Sequence, residues 1–334
     1  MKKMILLLIL IGFLVVHVMA QEQEDFYPKL EPYKTGFLKV SDLHEIYYQC
    51  GGNPEGKPVL YLHGGPGAGC MDDDFRYFNP EKFNIILHDQ RGSGKSKPWG
   101  EIKENTTKNL IEDVEKLRKH LNLDKVIIFG GSWGSTLALA YAEAYPQNVS
   151  GIIMRGIFTA TREEIEHYYL GGVGRYFPET YQEFLSYIPD PKNKNYAAQI
   201  VEKLQSPDKE IRDKYAKAWA MYEGKIAFLN ISDEVLSGFF KYWNPWGFSV
   251  IENYYMANNC FLQEGQLLAN ADKLKDIPMI IVNGRYDVIC PPITAYTLHK
   301  KLPKSKLVIV ESAGHSASEP GIKKALIETM HSFE

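Results

Sequence analysis

Cysteine is scarce in this chain of 334 residues: there are four, Cys50, Cys70, Cys260 and Cys290, widely separated and in no metal-ligand spacing. A disulfide-dense scaffold or a zinc knuckle is excluded, and the spacing selects no disulfide pair, free buried thiols being at least as compatible. The nine histidines include no His-Glu-x-x-His, and Asp72-Asp73-Asp74 lacks the rest of a calcium loop, so no metal is expected. Basic excess is missing too, with 38 Lys and Arg against 41 Asp and Glu. The scattered positive charge argues against a nucleic-acid partner, because nothing is concentrated to neutralise phosphates. Gly94-Lys95-Ser96 resembles the end of a phosphate-binding loop, but Asp89 stands where that loop needs its first glycine. The segment 89–96 follows the apolar run 84–87, and its glycines read as a tight connection near a site. Repeats and low-complexity tracts are absent.

One apolar run is long enough to stand out. Residues 4–16 are almost uninterruptedly apolar, behind basic Met1-Lys2-Lys3 and ahead of Val18-Met19-Ala20 and polar Gln21-Glu22-Gln23-Glu24. The run is shorter than the roughly 20 residues that span a bilayer. It reads as a secretory signal peptide, residues 1–20, cleaved near Ala20 and leaving no stable membrane anchor. No cysteine follows it to carry a lipid. Export to the periplasm or the exterior is the expectation.

The full chain is 45% hydrophobic, and what remains after the leader is long enough to bury a large core. Short apolar runs at 59–62, 84–87, 126–129, 279–282 and 307–310 read as buried strands, and 109–121 and 132–145 as helices. Strands alternating with helices give an α/β class with a mostly parallel sheet, built from residues 35–157 and 271–334. Residues 158–270 lose that rhythm and become rich in Tyr, Trp, Phe, Lys and Glu, as expected of a helical cap inserted over the strand ends.

The chemistry sits at the strand ends. Gly130-Gly131-Ser132-Trp133-Gly134 joins a strand to a helix, the context of a nucleophile elbow, where a serine hydroxyl stands clear of the sheet. A Gly/Ser turn capping a helix would look similar in isolation. Two further strand ends decide between them: Asn283-Gly284-Arg285-Tyr286-Asp287 presents an acid and Ser312-Ala313-Gly314-His315 a base. The order Ser132, Asp287, His315 is that of α/β hydrolases. Serine is a poor nucleophile at neutral pH and needs a base, and the base needs an orienting acid. His315 takes the proton from Ser132, and Asp287 holds the imidazole tautomer. Donors for the oxyanion are expected from the backbone N–H of Trp133 and, in the loop His63-Gly64-Gly65-Pro66-Gly67, of Gly65.

These segments, with Asp89-Gln90-Arg91-Gly92-Ser93-Gly94 and Gly284-Arg285-Tyr286-Asp287, resemble proline iminopeptidases (prolyl aminopeptidases) in order over residues 35–332. Arg155-Gly156-Ile157-Phe158, the segment around Trp219 to Gly224, and Ile251-Glu252-Asn253-Tyr254-Tyr255 also look like that family's motifs. The resemblance implies an α/β-hydrolase fold and a serine exopeptidase that needs no cofactor and takes peptides with a free N-terminal proline. It makes Glu223 and Glu252 the amine-binding acids. An ammonium left unpaired in a closed pocket would be costly, and both acids lie in aromatic surroundings. Arg155 is expected to orient one of them by a charge-assisted bond. Phe158 and Tyr168 are expected to form the slot for the pyrrolidine ring, with Trp133 and the cap tyrosines lining the same pocket. Family members are more often cytosolic, so the leader departs from the pattern. A broader aminopeptidase or an esterase is the alternative within enzymes. A non-catalytic binding protein on the same scaffold is the alternative outside them. Haloalkane dehalogenases and epoxide hydrolases fit poorly, because Ser132 stands where they place an aspartate.

Overall fold

The computed structural model describes residues 26–239 and 243–334, so the leader lies outside the described residues. Eight strands form one sheet: β1 Lys34–Lys39, β2 Glu45–Gly52, β3 Lys57–Leu62, β4 Phe83–His88, β5 Val126–Ser132, β6 Val149–Ile157, β7 Met279–Gly284 and β8 Ser305–Val310. Their order is β1-β2-β4-β3-β5-β6-β7-β8. From β4 to β8 every neighbouring pair is parallel, and only β1 with β2 and β2 with β4 pair antiparallel.

The apolar runs alternate between the two faces of the sheet. Val126 and Ile128 of β5, Ile152 and Met154 of β6, and Met279 and Ile281 of β7 join one core. Ile127, Phe129, Ile153, Ile280 and Val282 join the other. With both faces covered, strands read as continuous hydrophobic runs rather than as alternations, which is why these were visible in sequence. β1 is different. Its residues are exposed or half-buried and its sequence KTGFLK carries no run, so the antiparallel edge has no comparable signal.

Helix α1 (Thr107–His120) starts at Thr106, whose hydroxyl accepts the Asn109 N–H, and has Arg118 and Lys119 in its last turn, cations that suit its negative C-terminal dipole. Helix α2 (Trp133–Ala144) leaves the end of β5. Between β6 and β7 the described residues form helices and no strand. These are α3 Arg162–Tyr169, α4 Pro178–Leu185, α5 Tyr196–Leu204, α6 Lys209–Ala227, α7 Asp233–Phe239, α8 Trp246–Ala257 and α9 Gln266–Ala269. Their interior is aromatic: Trp219 stacks on Tyr169 with ring centroids 5.1 Å apart, and Phe184 stacks on Tyr222 at 4.5 Å. After β7 and β8 come α10 (Pro292–Lys301) and α11 (Pro320–Met330). Among the described residues no helix is long and apolar enough to cross a membrane.

The turn after β4 is tied down by charge. Asp89 accepts the backbone N–H groups of Cys70 and Lys95, both at 2.7 Å. Arg91 forms a buried two-bond pair with Asp113 of α1 at 2.6 and 2.9 Å. The segment 89–96 is thus a fixed connection beside the elbow.

Candidate active site

The elbow is built by sterics. Ser132 ends β5 at φ 57°, ψ −126°, a backbone conformation that L side chains rarely adopt. The bend presses its neighbours together: a Cβ on Gly134 would lie 2.0 Å from the Leu62 carbonyl oxygen. Only glycine fits there. Gly65, at φ +104°, lines the same pocket as Ser132, and a Cβ on it would lie 2.8 Å from the Gly67 nitrogen.

Loop and elbow are held in register by Gln90. Its side-chain amide donates to the His63 carbonyl at 2.9 Å and accepts the Trp133 indole N–H at 2.8 Å, while its backbone N–H donates to His63 Nε2 at 3.0 Å. Burial pushes the His63 pKa down. The neutral ring accepts at Nε2 and donates from Nδ1 to the Gly64 carbonyl at 2.9 Å. Trp133 is completely buried and packs edge-on against Tyr255 at 4.8 Å. The expectation that its ring lines the substrate pocket is corrected: the indole is committed to Gln90 and the core, leaving its backbone N–H at the elbow.

Acid and base meet across two loops. Asp287 accepts the His315 Nδ1–H at 2.8 Å through Oδ2 and, through Oδ1, the backbone N–H groups of Ile289 at 3.0 Å and Cys290 at 2.7 Å. With its acid fully buried, the pair has no water to compete for these bonds. The His315 backbone N–H donates to the Ala227 carbonyl at the end of α6. Glu319 braces the loop by accepting the N–H groups of Gly314 and Leu229, both at 2.7 Å. The helix that holds the base also carries Glu223. The Cys290 thiol, whose pKa burial raises, shares a pocket wall with Ser132.

Around Ser132 a small pocket is lined by Gly65, Phe158, Tyr168, Glu223, Glu252 and Cys290, with Glu164, Ile165, Met256 and Ile289 completing the walls. The structure thus brings together Phe158, Tyr168 and both glutamates from distant parts of the chain. Glu252, on α8, accepts the Trp219 indole N–H at 2.6 Å. Trp219 and Glu223 are four residues apart on α6 and share a face. The two carboxyls hydrogen-bond each other; burial raises the Glu223 pKa to about 7, and burial together with the Glu223 charge raises that of Glu252 well above the usual carboxylate range. Among the described residues, Glu223 Oε2 and the Tyr168 hydroxyl are buried without a hydrogen-bond partner. A buried acid, Glu252, beside a half-buried one, Glu223, whose Oε2 is buried and unpaired, suits a cation with several N–H groups.

Arg155 departs from expectation. Its Nη1 donates to His315 Nε2 at 3.0 Å and to the His315 carbonyl at 2.9 Å, and its charge is not among those acting on Glu223 or Glu252. Arg155 lies two residues before the end of β6, beside Gly131 of β5, and its side chain reaches the His315 loop. Sequence reasoning also passed over Cys290 and Glu164 as pocket walls. Cys290 had one signal, its place three residues after Asp287. Glu164 had another, the spacing of a capping box with Thr161, and its carboxylate gathers Thr159, Thr161 and Thr294.

A roomier groove opens at the opposite ends of the strands, with Lys57, Lys125, Lys304 and Lys306 among its walls. Its lining includes no histidine, so chemistry rather than volume selects the smaller pocket.

Comparison with known proteins agrees with this architecture. A family model described as the alpha/beta hydrolase fold matches residues 57–321. A probable proline iminopeptidase of Leptolyngbya boryana is 46% identical over 308 residues, covering 92% of this chain and 96% of that protein. The proline iminopeptidase of Xanthomonas citri is 44% identical, covering 92% and 98%, and that of Arabidopsis thaliana 44%, covering 90% and 80%. Among solved structures, an esterase from Exiguobacterium antarcticum superposes with a TM-score of 0.63 at 21% identity, covering 90% of this chain and 99% of its own, a likeness of fold alone.

Proposed function

The chain belongs to the proline iminopeptidase family of the α/β-hydrolase fold, and from that membership we propose that it is an exported serine exopeptidase releasing N-terminal proline from peptides through Ser132, His315 and Asp287. Ser132 Oγ attacks the prolyl carbonyl carbon while His315 Nε2 takes the hydroxyl proton. The resulting oxyanion accepts N–H bonds from Gly65 and Trp133. Collapse breaks the peptide bond, and His315 returns the proton to the departing amine. Water, deprotonated by the same nitrogen, then hydrolyses the prolyl ester and frees proline and Ser132. Asp287 keeps Nδ1 protonated throughout, which its 2.8 Å bond supports.

The observation that carries the exopeptidase reading is the pair Glu223 and Glu252 facing the pocket that holds Ser132. Such a pair favours a substrate that brings its own positive charge, whereas an esterase substrate gives it nothing to bind. Phe158 and Tyr168 offer the apolar slot for the ring. A panel of aminoacyl-arylamides with free and acetylated N-termini tests the reading: rapid turnover of the free prolyl compound and poor turnover of its acetylated form are expected. Equal rates on the two forms would transfer the protein to the esterases. For export, the proposal rests on the leader alone, with the mature chain beginning near Gln21.

A further inference from the structure

Arg155 is a half-buried cation with no ion-pair partner among the described residues. Among the described residues its Nη1 bonds only to His315, at Nε2 and at the carbonyl oxygen. Its Nε is buried and has no hydrogen-bond partner among the described residues. Nη2 lies flush against the elbow, 2.6 Å from where a Cβ on Gly131 would stand. The nearby acid, Asp287, is committed to His315 Nδ1 and to two backbone N–H groups. A guanidinium is always charged, and a planar fork of donors is matched to a carboxylate. None of its present partners is an anion.

Its position also conflicts with the reaction. The lone pair of His315 Nε2 must receive the Ser132 proton, yet it is the acceptor of the Arg155 bond. The substrate-free arrangement is therefore a resting one, and something in the substrate must move the arginine.

Distance identifies what. During turnover the departing amine nitrogen comes within about 2.6–3.2 Å of Nε2 to receive its proton. In a dipeptide the terminal carboxylate carbon is two bonds from that nitrogen, bonds of about 1.46 and 1.52 Å. A guanidinium nitrogen 3.0 Å from Nε2 is thus within immediate reach of a dipeptide's carboxylate. Each further residue carries the carboxylate up to ~3.3–3.6 Å away, out of that reach.

Building on the aminopeptidase reading, we propose that Arg155 reads the C-terminal carboxylate of prolyl dipeptides, and that forming this ion pair draws the guanidinium off His315 Nε2. Arg155 is then a specificity residue that also releases the base. Substrates lacking the carboxylate must displace the arginine without a replacement partner, and react more slowly.

The test compares kcat/KM for Pro-Ala with that for Pro-Ala-amide, in wild type and in Arg155→Met and Arg155→Lys. The two peptides differ only at the carboxylate, so damage to the fold lowers both and leaves their ratio unchanged. Wild type should favour the acid by roughly ten- to a hundredfold, the range of a charge-assisted bond in a partly desolvated site. Arg155→Met should bring the ratio near unity, and Arg155→Lys should retain part of it. A wild-type ratio within about twofold of one, or a ratio unmoved by Arg155→Met, overturns the proposal. Should Arg155→Met fail to fold, the wild-type series Pro-Ala, Pro-Ala-Ala, Pro-Ala-Ala-Ala decides. A steep drop after the dipeptide supports the assignment, and a flat series refutes it. The parent reading fails differently, as absence of cleavage of Pro-Ala-amide and prolyl-arylamide alike, and it would take this proposal with it.

Discussion

Glu223→Gln is the perturbation that isolates amine recognition. Glutamine keeps the volume and one acceptor but removes the charge from a group that faces Ser132's pocket with an unpartnered oxygen. Glu252 stays in place through its 2.6 Å bond from Trp219. A hydrogen bond to a charged group in such a site contributes on the order of 1.5–3 kcal/mol, so kcat/KM for free-amine prolyl-arylamide should fall roughly ten- to a hundredfold. The acetylated substrate, which brings no cation, should be poor in wild type and should lose little more, narrowing the gap between the two. The same substitution should stabilise the unliganded protein at alkaline pH. The Glu223 pKa is raised from 4.5 to about 7 by burial, so its acid form favours the folded state below 4.5 and that contribution is lost as pH rises through about 7. Above that pH wild type holds a buried charge that the glutamine variant lacks, and the gain in Tm should grow between pH 5 and pH 8. Steady-state kinetics on the substrate pair, with thermal melts at both pH values, check the reasoning. Free-amine kinetics within about twofold of wild type, a change of under half a kcal/mol, would refute it.

Three more outcomes are expected. Ser132→Ala and His315→Ala should reduce prolyl-arylamidase activity below about one percent of wild type while the circular dichroism spectrum is kept, and Asp287→Asn should be severe because it favours the wrong imidazole tautomer. Asp113→Ala should leave Arg91 buried without its counter-ion, which costs about 3–5 kcal/mol and should lower Tm by roughly five to eight degrees; a melt within two degrees of wild type contradicts this. Intact-mass measurement of protein from its native source should find an N-terminus near Gln21, and retention of Met1 in a soluble cytosolic fraction would contradict export.

What the sequence disclosed follows from which signals are local. The elbow and the acid each follow an apolar run buried on both sheet faces, and the base follows a half-buried one; such runs are visible without knowing the fold. Ser132, Asp287 and His315 were therefore legible from chain order alone. Glu223 and Glu252 were not, since a glutamate on a helix is by default a surface acid. Resemblance singled them out, and the fold brings α6 and α8 together so that the acids meet. The partner of Arg155 lay beyond both routes. Its strand position was readable, but which loop would curl over the end of β6 depends on Ala227 and Glu319 holding the His315 segment, contacts spanning about ninety residues. Trp133 shows the same limit, because nothing local says that Gln90, 43 residues earlier, takes its indole.

The most direct measurement is release of free proline from a peptide such as Pro-Ala-Ala, followed by mass spectrometry, against the same peptide acetylated at its N-terminus and against Ser132→Ala. Proline should accumulate with wild type on the free peptide only, and not at all with Ser132→Ala. Proline release by Ser132→Ala, or cleavage of the acetylated peptide at the wild-type rate, would contradict a serine exopeptidase that reads the free N-terminal amine.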